Sequence, residues 1–172
     1  MRGDPESVLH AAYDAVAKAD AARLLPLVEP ASLGHLHGSL VELLEKQRLA
    51  VGDGGEAGRR YVHFLSRYRV RTPEELRGLA AGDLLERLVH SHPSIRSTLA
   101  CDTLGHSVDE ALGLAEVRFR VYIGGRPEPL GGVKTATLKH VGGAWKLVIR
   151  PFNDWVVPGL ENTFFGVPGS GP

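Results

Sequence analysis

One cysteine, Cys101, stands in 172 residues. A lone thiol cannot close an internal disulfide, and thiol use this sparse gives no sign of an oxidising compartment. Cys101 falls in a candidate strand, where the plain reading is a small core residue. The rival reading, a reactive thiol, would need a lowered pKa. Long apolar runs are missing too. No window approaches the ~20 apolar residues of a membrane span. The opening Met1-Arg2-Gly3-Asp4-Pro5 has no apolar stretch behind its positive charge, so no signal peptide is expected. We therefore expect a cytoplasmic protein with no membrane partner. Net charge is also absent, because twenty Lys and Arg cancel twenty Asp and Glu. No global field draws the chain to nucleic acid or an anionic surface. The glycine pairs form neither a P-loop nor a dinucleotide fingerprint, and no cofactor is expected.

What is present fits one domain, long enough to bury roughly two-thirds of its unfolded surface. The first ~90 residues read as helix. Asp4-Pro5-Glu6 is a start signal: a capping side chain, Pro at the first helical position, then an acid at the positive dipole end. Leu9, Ala12, Tyr13 and Val16 follow at helical spacing. Asp20 caps a second short helix with Leu24, Leu25 and Val28, ended by Pro30. Ala31 to Gly38 has no clear assignment. A third helix is expected over 39–50, with Leu40, Leu43, Leu44 and Leu49 as its stripe. Gly52 to Gly55 breaks it, and another is expected over 56–68. Thr72-Pro73-Glu74-Glu75 is a capping-box start, and Gly82-Asp83 restarts a helix over 84–89.

The period then changes to two. Ile95, Ser97, Leu99, Cys101 and Thr103 alternate with Arg96, Thr98, Ala100 and Asp102. Ala115, Val117, Phe119, Val121 and Ile123 face away from Glu116, Arg118, Arg120 and Tyr122. Such alternation fits antiparallel strands with one face in the core. Strands are expected over 133–141 and 144–150, joined by the tight turn Gly142-Gly143. Helices followed by a meander define an α+β fold: N-terminal helices packed on a curved antiparallel sheet of about four strands. The tail holds Phe152, Trp155, Leu160, Phe164 and Phe165, too apolar to hang in water. Residues 1–158 are read as one domain. Residues 159–172 are read as a tail, packed at first and disordered from Gly166.

Two stretches carry a family resemblance. Ala11 to Asp20, followed by Leu24-Leu25-Pro26-Leu27-Val28-Glu29-Pro30-Ala31, looks like the opening helix pair of the NTF2-like superfamily. Val133 to Ile149, with Gly142-Gly143-Ala144-Trp145-Lys146-Leu147, looks like its final hairpin. This cone-shaped α+β fold includes SnoaL-like cyclases, ketosteroid isomerases and limonene-epoxide hydrolases. Residues 39–91 read as several helices where the family usually places a strand and one long helix. The chain thus resembles bacterial members with an enlarged helical layer, and the first strand, near Leu33 to His37, is expected to be vestigial or absent.

The resemblance implies candidate chemistry. Ketosteroid isomerases use a Tyr on the first helix, an acidic base after the second, and a second acid on a late strand. Tyr13 matches the Tyr by its distance to Asp20, and His35 falls near the base. The late acid falls near Ala136 or Thr137, so it is missing here. The plain reading of Tyr13 is a helix aromatic with its hydroxyl on a neighbour. Tyr61, Phe119, Trp145 and Asp154 are the expected ligand-binding residues of the pocket.

Other clusters are weighed against simpler readings. His35-x-His37 and His90-x-His92 could chelate a metal, but they lack a Cys cluster or an HExxH helix, and no metal is expected. Arg59, Arg60, Arg67, Arg69, Arg71 and Arg77 read as a solvated face neutralised by Asp53, Glu56, Glu74 and Glu75 rather than a nucleic-acid surface. Arg118, Arg120, Tyr122 and Lys134 read as an open sheet face, solvated or dimeric; a shifted register would instead turn Arg118 and Tyr122 into a pocket. Asp102 and His106, four apart, are read as sharing a strand face without direct contact.

Two functions are carried forward. The leading one is a non-catalytic module, homodimeric through the sheet, that binds a small apolar molecule or a protein. The alternative is an isomerase, cyclase or hydrolase using Tyr13 and His35.

Overall fold

The structure is a computed structural model that describes residues 3–50, 69–90, 98–127 and 132–149. The expected helix over 56–68, the strand start at Ile95 and the tail with its boundary at 158 lie outside the described residues. The fold is α+β, with helices laid on an open antiparallel sheet of five strands.

Helix α1 spans Pro5–Ala17. The Asp4 carboxylate accepts from the Glu6 and Ser7 amides, satisfying two of the helix's orphan donors. Leu9, Ala12, Tyr13 and Val16 are all buried, as their spacing predicts. The helix ends on Ala19 at φ 55, with Ala19 N donating to Val16 O and Asp20 N to Ala15 O. That is a Schellman cap, usually closed by glycine. Asp20 then caps α2, Ala21–Leu24, and a 3-10 turn covers Leu25–Leu27.

Helix α3 spans Pro30–Ala50, so the stretch from Ala31 to Gly38 is helical and no strand forms over 33–37. Pro30 begins this helix instead of ending the one before. Proline suits a first turn, where its missing N–H has no partner to lose. Glu29 caps it, its Oε2 accepting from Ser32 N at 2.5 Å. Leu33, Leu36, Leu40 and Leu44 are buried, whereas Leu49 is 80% exposed and drops out of the expected stripe. Helix α4 spans Pro73–Arg77 and α5 spans Ala81–Val89. Thr72 accepts from Glu75 N as expected, but the Glu75 carboxylate reaches back to Arg71 N, one residue before the cap.

The strands are β1 (Leu99–Asp109), β2 (Leu114–Ile123), β3 (Arg126–Pro127), β4 (Lys134–Val141) and β5 (Ala144–Leu147). Their order is β1-β2-β4-β5, and β3 pairs with β2. Gly142 and Gly143 have φ of 60° and 86°, which the two-residue β4–β5 turn requires. The inner face carries Leu99, Cys101, Ala115, Val117, Phe119, Val121, Ala136, Leu138, Trp145 and Leu147, all buried. Helix α1 packs on this face against β1, β2 and β5. The start of α3 is sewn to the last strand: Glu29 N donates to Leu147 O, and Ile149 N donates to Ser32 Oγ.

Two register expectations are corrected. Lys134 pairs with Phe119 and is 1% exposed, so it lies on the inner face and not with Arg118 and Arg120. Counting in twos from the buried Ala136 and Leu138 gives the same parity. The second correction is a β-bulge between Thr103 and Gly105, centred on Leu104, with Gly105 at φ 116. Asp102 pairs with Arg120 on the outer face, whereas His106 pairs with Val117 on the inner one. One extra residue inverts the parity of everything after it. Asp102 and His106 therefore face opposite ways.

Candidate functional site

Between α1 and β2, Tyr13 meets Phe119 edge-to-face, with ring centroids 5.8 Å apart and planes at 69°. Both rings are buried, at 2% and 0% exposure. Trp145 is buried on β5 and meets the His140 ring edge-on at 5.1 Å. His35 occupies an exposed position of α3, whereas Tyr13 is buried. Tyr61 and Asp154 lie outside the described residues. Of the expected site, the fold thus brings Tyr13 and Phe119 together.

A polar seam, of which only His106 and Cys101 were weighed as chemistry from the sequence, runs where α1 crosses β1. Glu6 and His10 are four apart on α1 and so lie on one side of it. Opposite them, β1 presents Cys101, Thr103 and, because of the bulge, His106. His106 Nδ1 lies 2.7 Å from Glu6 Oε1. His10 Nε2 lies 3.4 Å from Thr103 Oγ1, and its Nδ1 lies 3.7 Å from Cys101 Sγ. The hydrogen bond with His106 holds the Glu6 carboxyl below its ordinary range, and Thr103 adds to this. The Ser7 hydroxyl does the same for Asp4, and the charge of His106 contributes. The i, i+4 spacing of Glu6 and His10 was visible in the sequence. Their partners, some ninety to a hundred residues away, were not.

Burial pushes the Cys101 thiol up to about 12, and the neighbouring Asp102 charge adds to the shift. At neutral pH it is a protonated thiol and a poor nucleophile, despite the adjacent imidazole. This fits the core reading of Cys101.

The remaining candidates are engaged locally. His37 Nε2 lies 2.6 Å from the Leu76 carbonyl, and His90 Nδ1 lies 2.8 Å from the Glu86 carbonyl. Arg77 pairs with Glu45, and Arg48 and Arg87 lie near Glu74 and Glu75 at 4.0 and 3.8 Å. Acids thus sit beside Arg48, Arg77 and Arg87, whereas Arg59, Arg60, Arg67, Asp53 and Glu56 lie outside the described residues. A cleft of about 270 Å³ opens beside α5, lined by Arg69, Asp83, Glu86, Arg87 and His90. Its charges are mixed, and it lies apart from Tyr13 and Phe119. Among the described residues, no helix is long and apolar enough to cross a membrane. No family model, curated protein or solved structure matches the chain.

Proposed function

We propose that the chain is a non-catalytic interaction module of NTF2-like type, working as a homodimer through the outer face of its sheet. The edge-to-face contact of the buried Tyr13 and Phe119 carries this reading. A catalytic cone needs titratable groups converging on a space where substrate can sit. Here the helix–sheet interface is occupied by packed aromatic and aliphatic side chains. The outer face offers Asp102 and Arg120 as cross-strand neighbours, beside the exposed Arg118. A two-fold axis over that face can set the acid of one copy against the base of the other, as a self-complementary interface requires.

Native mass spectrometry of the purified chain, beside a denaturing run, tests both parts. A dimer with no extra mass is expected. Mass lost only on denaturation would replace the interaction reading with retention of a small apolar ligand. A monomer would sink the sheet interface, and Arg120→Glu should shift a dimer toward monomer.

A further inference from the structure

Asp4, Glu6 and His106 bring three metal-ligating atoms within 4.8 Å of one another, across two elements a hundred residues apart. We propose that these three side chains bind a divalent cation of the zinc class at the seam between α1 and β1. This stands independently of the interaction reading.

The geometry suits the ion. Ligand atoms about 2.0–2.1 Å from a zinc ion, at right or tetrahedral angles, lie roughly 2.9–3.4 Å from each other. Glu6 Oε1 and His106 Nδ1 share a hydrogen bond at 2.7 Å, just under that range, whose proton the ion would replace, and the Asp4 carboxylate lies inside the same 4.8 Å cluster. Small side-chain rotations would equalise these spacings. The site is half-open to solvent, with the His106 and Glu6 side chains 36% and 24% exposed. Water can therefore fill a fourth position.

The donor set also selects among ions. Two carboxylates and one imidazole favour a borderline cation that takes both oxygen and nitrogen. Magnesium and calcium, which take oxygen almost throughout, would gain little from His106. The first turn of α1 opposes a cation there, because its amides carry positive partial charge. Two carboxylate charges outweigh that partial charge. Asp4 accepts from the Glu6 and Ser7 amides and from the Ser7 hydroxyl. These bonds orient the carboxylate, as outer contacts do for metal ligands.

The imidazole is what separates this cluster from an ordinary capped helix start, and the bulge is what puts it there. Without the extra residue at Leu104, His106 would point to the outer face and the cluster would keep only Asp4 and Glu6. The site uses neither His-x-His pair.

The test is calorimetric titration of zinc chloride into the full chain, free of any histidine tag. One saturable equivalent per chain is expected. His106→Ala and Glu6→Gln should each weaken binding about tenfold or more. His37→Ala and Cys101→Ser should leave it unchanged, and magnesium chloride should give no saturable heat. In the unsubstituted protein, zinc should move the His106 imidazole signals in NMR spectra ahead of those of the other histidines. That readout keeps the test decisive if a variant folds poorly. No saturable zinc binding would overturn the proposal. So would binding that survives both His106→Ala and Glu6→Gln, equal binding of magnesium, or zinc shifts centred on another histidine.

Discussion

Truncating Phe119 to alanine asks whether the helix–sheet interface is a packed core or a lined pocket. Phe119 is wholly buried on the central part of the sheet and meets Tyr13 edge-on at 5.8 Å. Truncating such a ring removes its transfer free energy and leaves a cavity, for about 3–5 kcal/mol. The aromatic contact itself accounts for about 0.5–1.5 kcal/mol. A loss near 4 kcal/mol corresponds to a fall in Tm of roughly 8–16 °C for a chain of this size. It is also a large share of a typical total stability of about 5–15 kcal/mol. Urea titration followed by tryptophan fluorescence reads the change, since Trp145 is buried beside the same sheet. Far-ultraviolet circular dichroism should give a coincident transition with an unchanged slope. Phe119→Leu, a milder swap, should cost less than about 1.5 kcal/mol and supplies a value if the alanine variant does not fold. A loss below about 1 kcal/mol for Phe119→Ala would refute the packed-core reasoning. It would mean that Phe119 borders empty or solvated space, and the ligand-binding reading would gain.

Three further outcomes follow from single observations. Cys101 should resist iodoacetamide at pH 8 in the native protein and react promptly in urea, and rapid native alkylation would contradict its burial. Its folded value of about 12 lies above its ordinary 9.0, so its contribution to stability is intact below about pH 9 and is lost as pH rises toward 12. Ser32→Ala should cost about 1–3 kcal/mol, because it leaves the buried Ile149 amide without its acceptor. Faster hydrogen exchange at Ile149 would check the cause, and unchanged exchange would refute it. Ala19→Gly should stabilise the chain by up to about 1 kcal/mol, since Ala19 sits at φ 55 in a cap that favours glycine. Thermal unfolding reads that gain, and a loss would show that glycine's added unfolded-state freedom outweighs the relief of strain.

Much of the fold was legible because its signals are local. A cap bonds residues two or three apart, so Asp4, Asp20 and Thr72 announced their helices. The alternation in β2 names its buried face because successive side chains point opposite ways. Pro30 misled because proline both ends and begins helices, and the Glu29 carboxylate that decides for beginning is a capper only in this setting. The inner face of Lys134 was countable from Ala136 and Leu138, but its charge argued for solvent.

The candidate site was far less legible. Tyr13 was visible on its helix, yet only packing set it edge-on against Phe119, more than a hundred residues along. The bulge at Leu104 has no signature beyond a nearby glycine, and it alone moves His106 from the side of Asp102 to that of Glu6. Residues near in sequence specify the starts of α1, α2 and α4, the buried face of β2 and the β4–β5 turn, and these were readable before folding. Only the tertiary structure decided which side chains share the α1–β1 seam. That depends on register and on the crossing of distant elements, which residues near in sequence do not encode.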